Sequence, residues 1–162
     1  MIFITTGSRS FQFNRLLEAV DKAIESGAIT DQVFAQIGSS NYPIKNYKYI
    51  DFLNHDEFNE NVRNCEIVLT HGGTGVIVNA VKLGKRVVAV PRLAKYGEVI
   101  DDHQIQLVKA FAQLDMVTPC YDCTSEMIAQ AVDVAKKKEV KPYHSNTQVI
   151  IDSIDEFINR EK

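Results

Sequence analysis

The sequence predicts a single α/β domain, a Rossmann-like three-layer fold built on a parallel sheet. Short β-branched runs alternate with helical stretches almost from end to end, the pattern of repeated βαβ units. The length of 162 residues suits one domain and is enough to bury a core without disulfides or metals. Glycine or proline closes several of the apolar runs, as expected where each strand turns into a loop.

The elements follow in order. Met1–Thr5 is an apolar run ended by Gly7, the opening strand. Phe13–Ile24 places apolar residues at 13, 16, 17, 20 and 24, a helical spacing. Gln32–Ile37 is a second strand stopped by Gly38, and Tyr47–Phe52 a third. Asp56–Asn64 is a polar helix, and Glu66–Leu69 a buried strand. Thr74–Leu83 is a helix ended by Gly84. Arg86–Val90 is a fifth strand, closed by Pro91. Helices are expected over Asp102–Gln113 and Ser125–Lys137, with a short strand at Met116–Thr118 between them and Thr124 or Ser125 as the second helix's N-cap. A last helix spans Thr147–Arg160; Ile150, Ile151, Ile154, Phe157 and Ile158 form its apolar stripe. The long connections are 38–46 and 91–101, and long loops commonly carry function.

Composition narrows the function classes. Hydrophobic residues make up 45% and charged residues 24%, an ordinary globular balance. The net charge of −3 argues against a nucleic-acid partner, which selects a basic face. No stretch approaches the roughly 20 apolar residues of a membrane span, and MIFITTGS lacks the basic start of a signal peptide. Cys65, Cys120 and Cys123 are an odd, sparse set that suits a reducing, cytoplasmic setting. Cys120 and Cys123 form a C-x-x-C, but four zinc ligands are not in view, and free thiols are the simpler reading. The run Lys136–Lys138 with Lys141 reads as a solvated face.

Thr70–Ala80 reads THGGTGVIVNA, three glycines and a histidine between a greasy strand and a helix. In an open parallel sheet, ligands bind beyond the carboxyl ends of the strands. Glycines there let a ligand approach the backbone, and the free N–H groups of a first helical turn favour an anion. His71 adds a donor or a positive charge. The segment therefore reads as a phosphate or pyrophosphate site; the plain alternative is a tight turn. A Walker loop is absent. The dinucleotide fingerprint is only partial, because Val78 stands where a third small residue belongs, so an NAD-dependent oxidoreductase is a distant alternative.

THGGTGVIVNAVKLGKRVVAVPR at 70–92, with DDHQ at 101–104, resembles the glycosyltransferase family 28 C-terminal domain, the nucleotide-sugar-binding half of GT-B enzymes. ITTGS at 4–8, FNRLL at 13–17 and QIGSS at 36–40 extend the resemblance over most of the chain. It implies a single domain over 1–162, equivalent to the C-terminal half of a GT-B enzyme. It further implies that His71, Gly72, Gly73, Thr74 and Gly75 cradle a diphosphate, with Gly7 and Ser8 facing the same phosphates. Asn79 stands where the peptidoglycan enzyme of this family has the Glu that holds the ribose diol. Asp102, His103 and Gln104 match the segment reaching the sugar hydroxyls; Arg92 is placed to meet a phosphate or a sugar acid, and Phe52 to flank the base.

The activity so implied is an inverting transfer from a UDP-sugar to a lipid-linked or polysaccharide acceptor, in surface polysaccharide synthesis such as capsule. No Asp-x-Asp is present to clamp a metal, so a metal-independent reaction is expected, and no cofactor beyond the donor substrate. The missing GT-B half would bind the acceptor and bring the catalytic base. It would come from a membrane-anchored partner subunit, docked through the 147–160 helix and holding this chain at the inner face of the membrane. A homodimer is the other use of that stripe. The competing reading is a non-catalytic nucleotide-binding accessory subunit.

Overall fold

The computed structural model describes residues 1–143. The apolar runs pair into one six-stranded sheet: β1 Ile2–Thr5, β2 Val33–Gln36, β3 Lys48–Ile50, β4 Ile67–His71, β5 Arg86–Val90 and β6 Thr118–Pro119. All pairings are parallel, and the spatial order is β3-β2-β1-β4-β5-β6. The strand order reverses beside β1, where the chain leaves β3 at one edge and returns as β4 on the other side of β1. Such a reversal opens a crevice at the carboxyl ends of the two central strands.

Five α-helices occur among the described residues: α1 Asn14–Glu25, α2 His55–Asn64, α3 Thr74–Lys82, α4 His103–Gln113 and α5 Ser125–Lys137. Alternation along each buried strand sends side chains to two faces. Ile2, Ile4, Ile67, Leu69, Val88 and Val90 join α1 and α5 in one core cluster. Phe3, Val68, Val87 and Ala89 join Val62 of α2, Ile77 and Ala80 of α3, and Val108 of α4 in the other. These are the three layers that the alternation predicts.

Boundaries differ from expectation where tertiary pairing decides. β4 runs two residues past Leu69, because its ladder with β5 continues to the pair His71↔Val90. His71 therefore ends a strand and does not belong to the turn. β6 is short and sits at the sheet edge, the one place where Pro119 leaves no ladder bond unmade. Thr124, not Ser125, caps α5, accepting from the Met127 N–H at 3.2 Å. Asn54 caps α2 in a reciprocal capping box with Glu57.

Both long loops are fastened to α1 by a buried carboxylate. Asp21 accepts from the N–H groups of Lys45 and Asn46. Glu98, fully buried, accepts two bonds from Arg15 at 2.9 and 3.0 Å and one from the Leu93 N–H at 2.9 Å. The predicted helix 147–160 and its apolar stripe lie outside the described residues.

Candidate functional site

A cavity of about 590 Å³ opens at the switch between β1 and β4. The segment after β1 supplies Thr6, Gly7, Ser8 and Arg9, and the segment after β4 supplies His71 to Val76. Arg92 follows β5, and His103 and Gln104 open α4. Phe52 lines the cavity from the far side. Two residues named from the sequence do not line it. The amide of Asn79 donates to Asn59 on α2 at 3.0 Å, and the carboxylate of Asp102 accepts from the Ala94 N–H at 2.7 Å.

Glycine is needed here for reasons the sequence alone does not reveal. Gly7 has φ +83°, and a Cβ on it would lie 2.7 Å from His71 Nε2. A Cβ on Gly73 would lie 2.1 Å from His71 Cε1. The two glycines leave the slot that the imidazole fills. Gly72 admits α4: a Cβ there would press on the Gln104 and Val108 side chains at 3.0 Å. A Cβ on Gly75 meets nothing within 4 Å. Of the three loop glycines, Gly75 is the one whose missing side chain leaves space for a ligand.

The N-terminus of α3 is uncapped. Gly73 is its N-cap and has no side chain to offer, and Thr74, Gly75 and Val76, whose first-turn N–H groups have no intrahelical partner, line the cavity. Among the lining residues Arg9 and Arg92 are the formal charges, and there is no aspartate or glutamate. Arg92 is 3% exposed. Its guanidinium donates to the Thr6 and Glu98 carbonyls and stacks over Phe13 at 5.3 Å, leaving Nε buried without a partner. Burial pulls its pKa below the ordinary value, a direction that leaves an arginine charged at neutral pH.

His71 is also perturbed. Burial, and then the charge of Arg92, push its pKa down to about 4, so the ring is neutral at pH 7. Of the donor and the positive charge that the sequence offered, burial leaves only the donor. Its Nδ1 is buried without a partner. Gln104, only 7% exposed, spends its Oε1 on two backbone donors, the Gly72 N–H at 3.0 Å and the Arg92 N–H at 3.1 Å. It ties the glycine loop to the end of β5.

Sequence reading missed Arg9, Thr6 and His55 as lining residues. Arg9 was within reach, since it follows directly on the Gly7-Ser8 turn. His55 was not, because its place depends on how α2 packs. Among the described residues no group of three or more His, Cys, Asp or Glu is arranged to hold a metal ion. The three cysteines are free and buried; burial pushes the Cys120 and Cys123 thiols up to about 11 and about 12.

Fold and cavity together define a doubly wound α/β domain with an anion-friendly crevice at its switch point. The chain belongs to the glycosyltransferase family 28 C-terminal domain, whose family profile matches residues 1–160. No curated protein matches it. Among solved structures it is similar to ALG13, at 18% identity over 89% of each chain with a TM-score of 0.57. It is also similar to MurG of Acinetobacter baumannii, at 17% identity and TM-score 0.57, covering 96% of this chain and 49% of that one. The glycosyltransferase VinC, solved with dTDP, matches at 17% identity and TM-score 0.55, over 85% of this chain and 33% of its own. At these identities the likeness is one of fold. The chain spans about half the length of that MurG and about a third of VinC.

Proposed function

We propose that the chain is the donor-binding subunit of an inverting, metal-independent glycosyltransferase that uses a UDP-sugar. The supporting observation is the match between unsatisfied donors and a diphosphate. One crevice gathers the bare first turn of α3 with Arg9, His71 and Arg92, and no acidic residue lines it. Free first-turn N–H groups and arginines together favour a phosphate anion. The same groups stabilise the UDP that leaves. In this reading Arg9 and Arg92 supply the positive charge that a divalent cation supplies elsewhere. VinC, solved with a nucleoside diphosphate, shares the fold.

The acceptor is a lipid-linked or polysaccharide hydroxyl. A membrane-anchored partner brings the acceptor-binding half. The product is a surface polysaccharide. One observation favours the accessory-subunit reading: Asn79, at the position for the ribose diol, is engaged with Asn59 away from the cavity.

UDP titration by calorimetry tests the site. The wild-type chain is expected to bind UDP in the micromolar to low millimolar range. Gly75→Asp adds a carboxylate in open space, at a helix N-terminus that tolerates it. It is expected to fold normally and to weaken UDP by about tenfold or more, which is about 1.4 kcal/mol. Equal affinity in the two proteins would overturn the diphosphate assignment.

A further inference from the structure

We infer that this chain barely reads the 2′-hydroxyl of its nucleotide, so that 2′-deoxyribonucleoside diphosphates fill the cavity about as well as ribonucleoside diphosphates. The inference rests on the UDP-sugar reading of the cavity and widens the class of nucleotide that it takes.

The cavity has two unlike ends. Phe52, a half-exposed aromatic ring, stands at one end with Leu53 and His55. The uncapped first turn of α3, Thr74 to Val76, stands at the other. A nucleoside diphosphate laid between them puts its base against the ring and its phosphates at the helix terminus. The ribose joins the two, so it lies over the gap between α2 and α3. One turn along each helix from the lining stands an asparagine. Asn79 follows Gly75 and Val76 by four and three positions and shares their face of α3. Asn59 follows His55 by four positions on α2.

These two asparagines satisfy each other. Asn79 Nδ2 donates to Asn59 Oδ1 at 3.0 Å, and Asn59 Nδ2 lies 3.3 Å from the ring nitrogens of His55. Both side chains are half-buried, and neither lines the cavity. An Asn79 amide that turned to the ribose would break its bond and leave Asn59 Oδ1 without a donor, which offsets the new contact.

The rest of the described lining offers the 2′-hydroxyl little. It holds no aspartate or glutamate, so this chain has no charge-assisted bond to give the diol there. Three lining residues carry a side-chain carbonyl oxygen, and all three oxygens are committed to backbone N–H groups. Gln36 Oε1 accepts from Leu53 at 3.1 Å, Asn54 Oδ1 from Asp56 and Glu57, and Gln104 Oε1 from Gly72 and Arg92. Ser8 and Thr74 belong to the phosphate end. That leaves His55, whose side chain is 89% exposed, so a hydroxyl bonded to it only displaces water. Strong selection for a hydroxyl arises where its loss strands a buried partner; a site built that way rejects the analogue by roughly 10⁴–10⁵-fold. Among the described lining residues no such partner faces the ribose.

The test is calorimetry on the isolated whole chain with UDP and 2′-deoxy-UDP, which share a base and a diphosphate and differ by one oxygen. The acceptor-binding half is absent from the isolated chain, so the ratio of the two Kd values reports this chain's contacts alone. We expect that ratio to stay below about fivefold, and Asn79→Ala to leave the Kd for UDP within about twofold. Asn79→Glu cannot donate to Asn59 Oδ1. Its carboxylate should turn to the diol and raise the preference for UDP to about tenfold or more. A wild-type preference for UDP of about fivefold or more overturns the inference, as does a loss of UDP affinity of that size in Asn79→Ala. An Asn79→Glu ratio equal to that of wild type overturns it too, because position 79 then does not face the ribose. If neither nucleotide binds, the UDP-sugar reading itself fails, and the two failures are told apart.

Discussion

His71 shows how one side chain turns a loop into a site and what that does to stability. In the folded chain its pKa lies near 4, below the ordinary value near 6.5. The unfolded chain therefore takes up the proton first as pH falls. Stability should drop between about pH 6.5 and about pH 4 and level off below, with a loss on the order of 3 kcal/mol at 1.36 kcal/mol per pH unit. His71→Asn, which cannot charge, should remove that part of the acid sensitivity. Urea midpoints of both proteins at pH 7 and pH 4 check this; parallel shifts would show that the ring is not buried as described. The ring also decides what sequence could tell. The HGGTG stretch was legible as a special turn. That Gly7 makes room for the imidazole was not, because the contact joins residues 64 positions apart; that Gly73 does so depends on how the ring turns back over the loop.

The 91–101 connection is a long loop with one short 3-10 turn, Ala94–Tyr96. Glu98 joins it to α1 through Arg15, whose guanidinium also donates to the Pro91 carbonyl at 3.1 Å. Arg92 donates to the Glu98 carbonyl. Cutting a buried ion pair leaves the other charge stranded, which costs about 3 kcal/mol or more. Glu98→Gln should lower stability by about that amount and raise amide exchange across 93–101 while leaving the opposite sheet edge protected. Uniform exchange rates in both proteins would show that the loop is held by other contacts. Length marked this loop as important in the sequence. Its anchor was invisible: one acidic residue among 21, whose partner is 83 positions away and shares no periodicity with it.

At the scale of the molecule, the alternation of strands and helices announced a parallel sheet, because local pattern carries that information. The order β3-β2-β1-β4-β5-β6 did not announce itself; it is decided by which strands bury each other's faces. Yet the order is what makes the crevice, and it brings the turn after β1 to the glycine loop after β4. The same distinction explains Asn79 and Asp102. Both sit where the motif spacing put them, and packing turned their side chains to other partners. The charge of the crevice leads to a test on the reconstituted transferase. With arginines and a helix terminus supplying the positive field, sugar transfer should persist in EDTA. Activity that disappears with chelator and returns with manganese would show that the leaving diphosphate relies on a metal.

Gln104 binds these scales together. A single oxygen on α4 holds both the Gly72 N–H and the Arg92 N–H, so the loops after two neighbouring strands answer to one side chain. His103, its neighbour, occupies the mouth of the same cavity. On the proposed UDP-sugar reading, the sugar end and the nucleotide end of the site are not separable modules. On that reading, remodelling Gln104 to alter the choice of sugar should also change the affinity for the nucleotide. Variants selected for a new donor should carry compensating changes near β4 and β5, and transplanting the α4 start alone into a relative should produce a trade-off rather than a clean exchange of specificity.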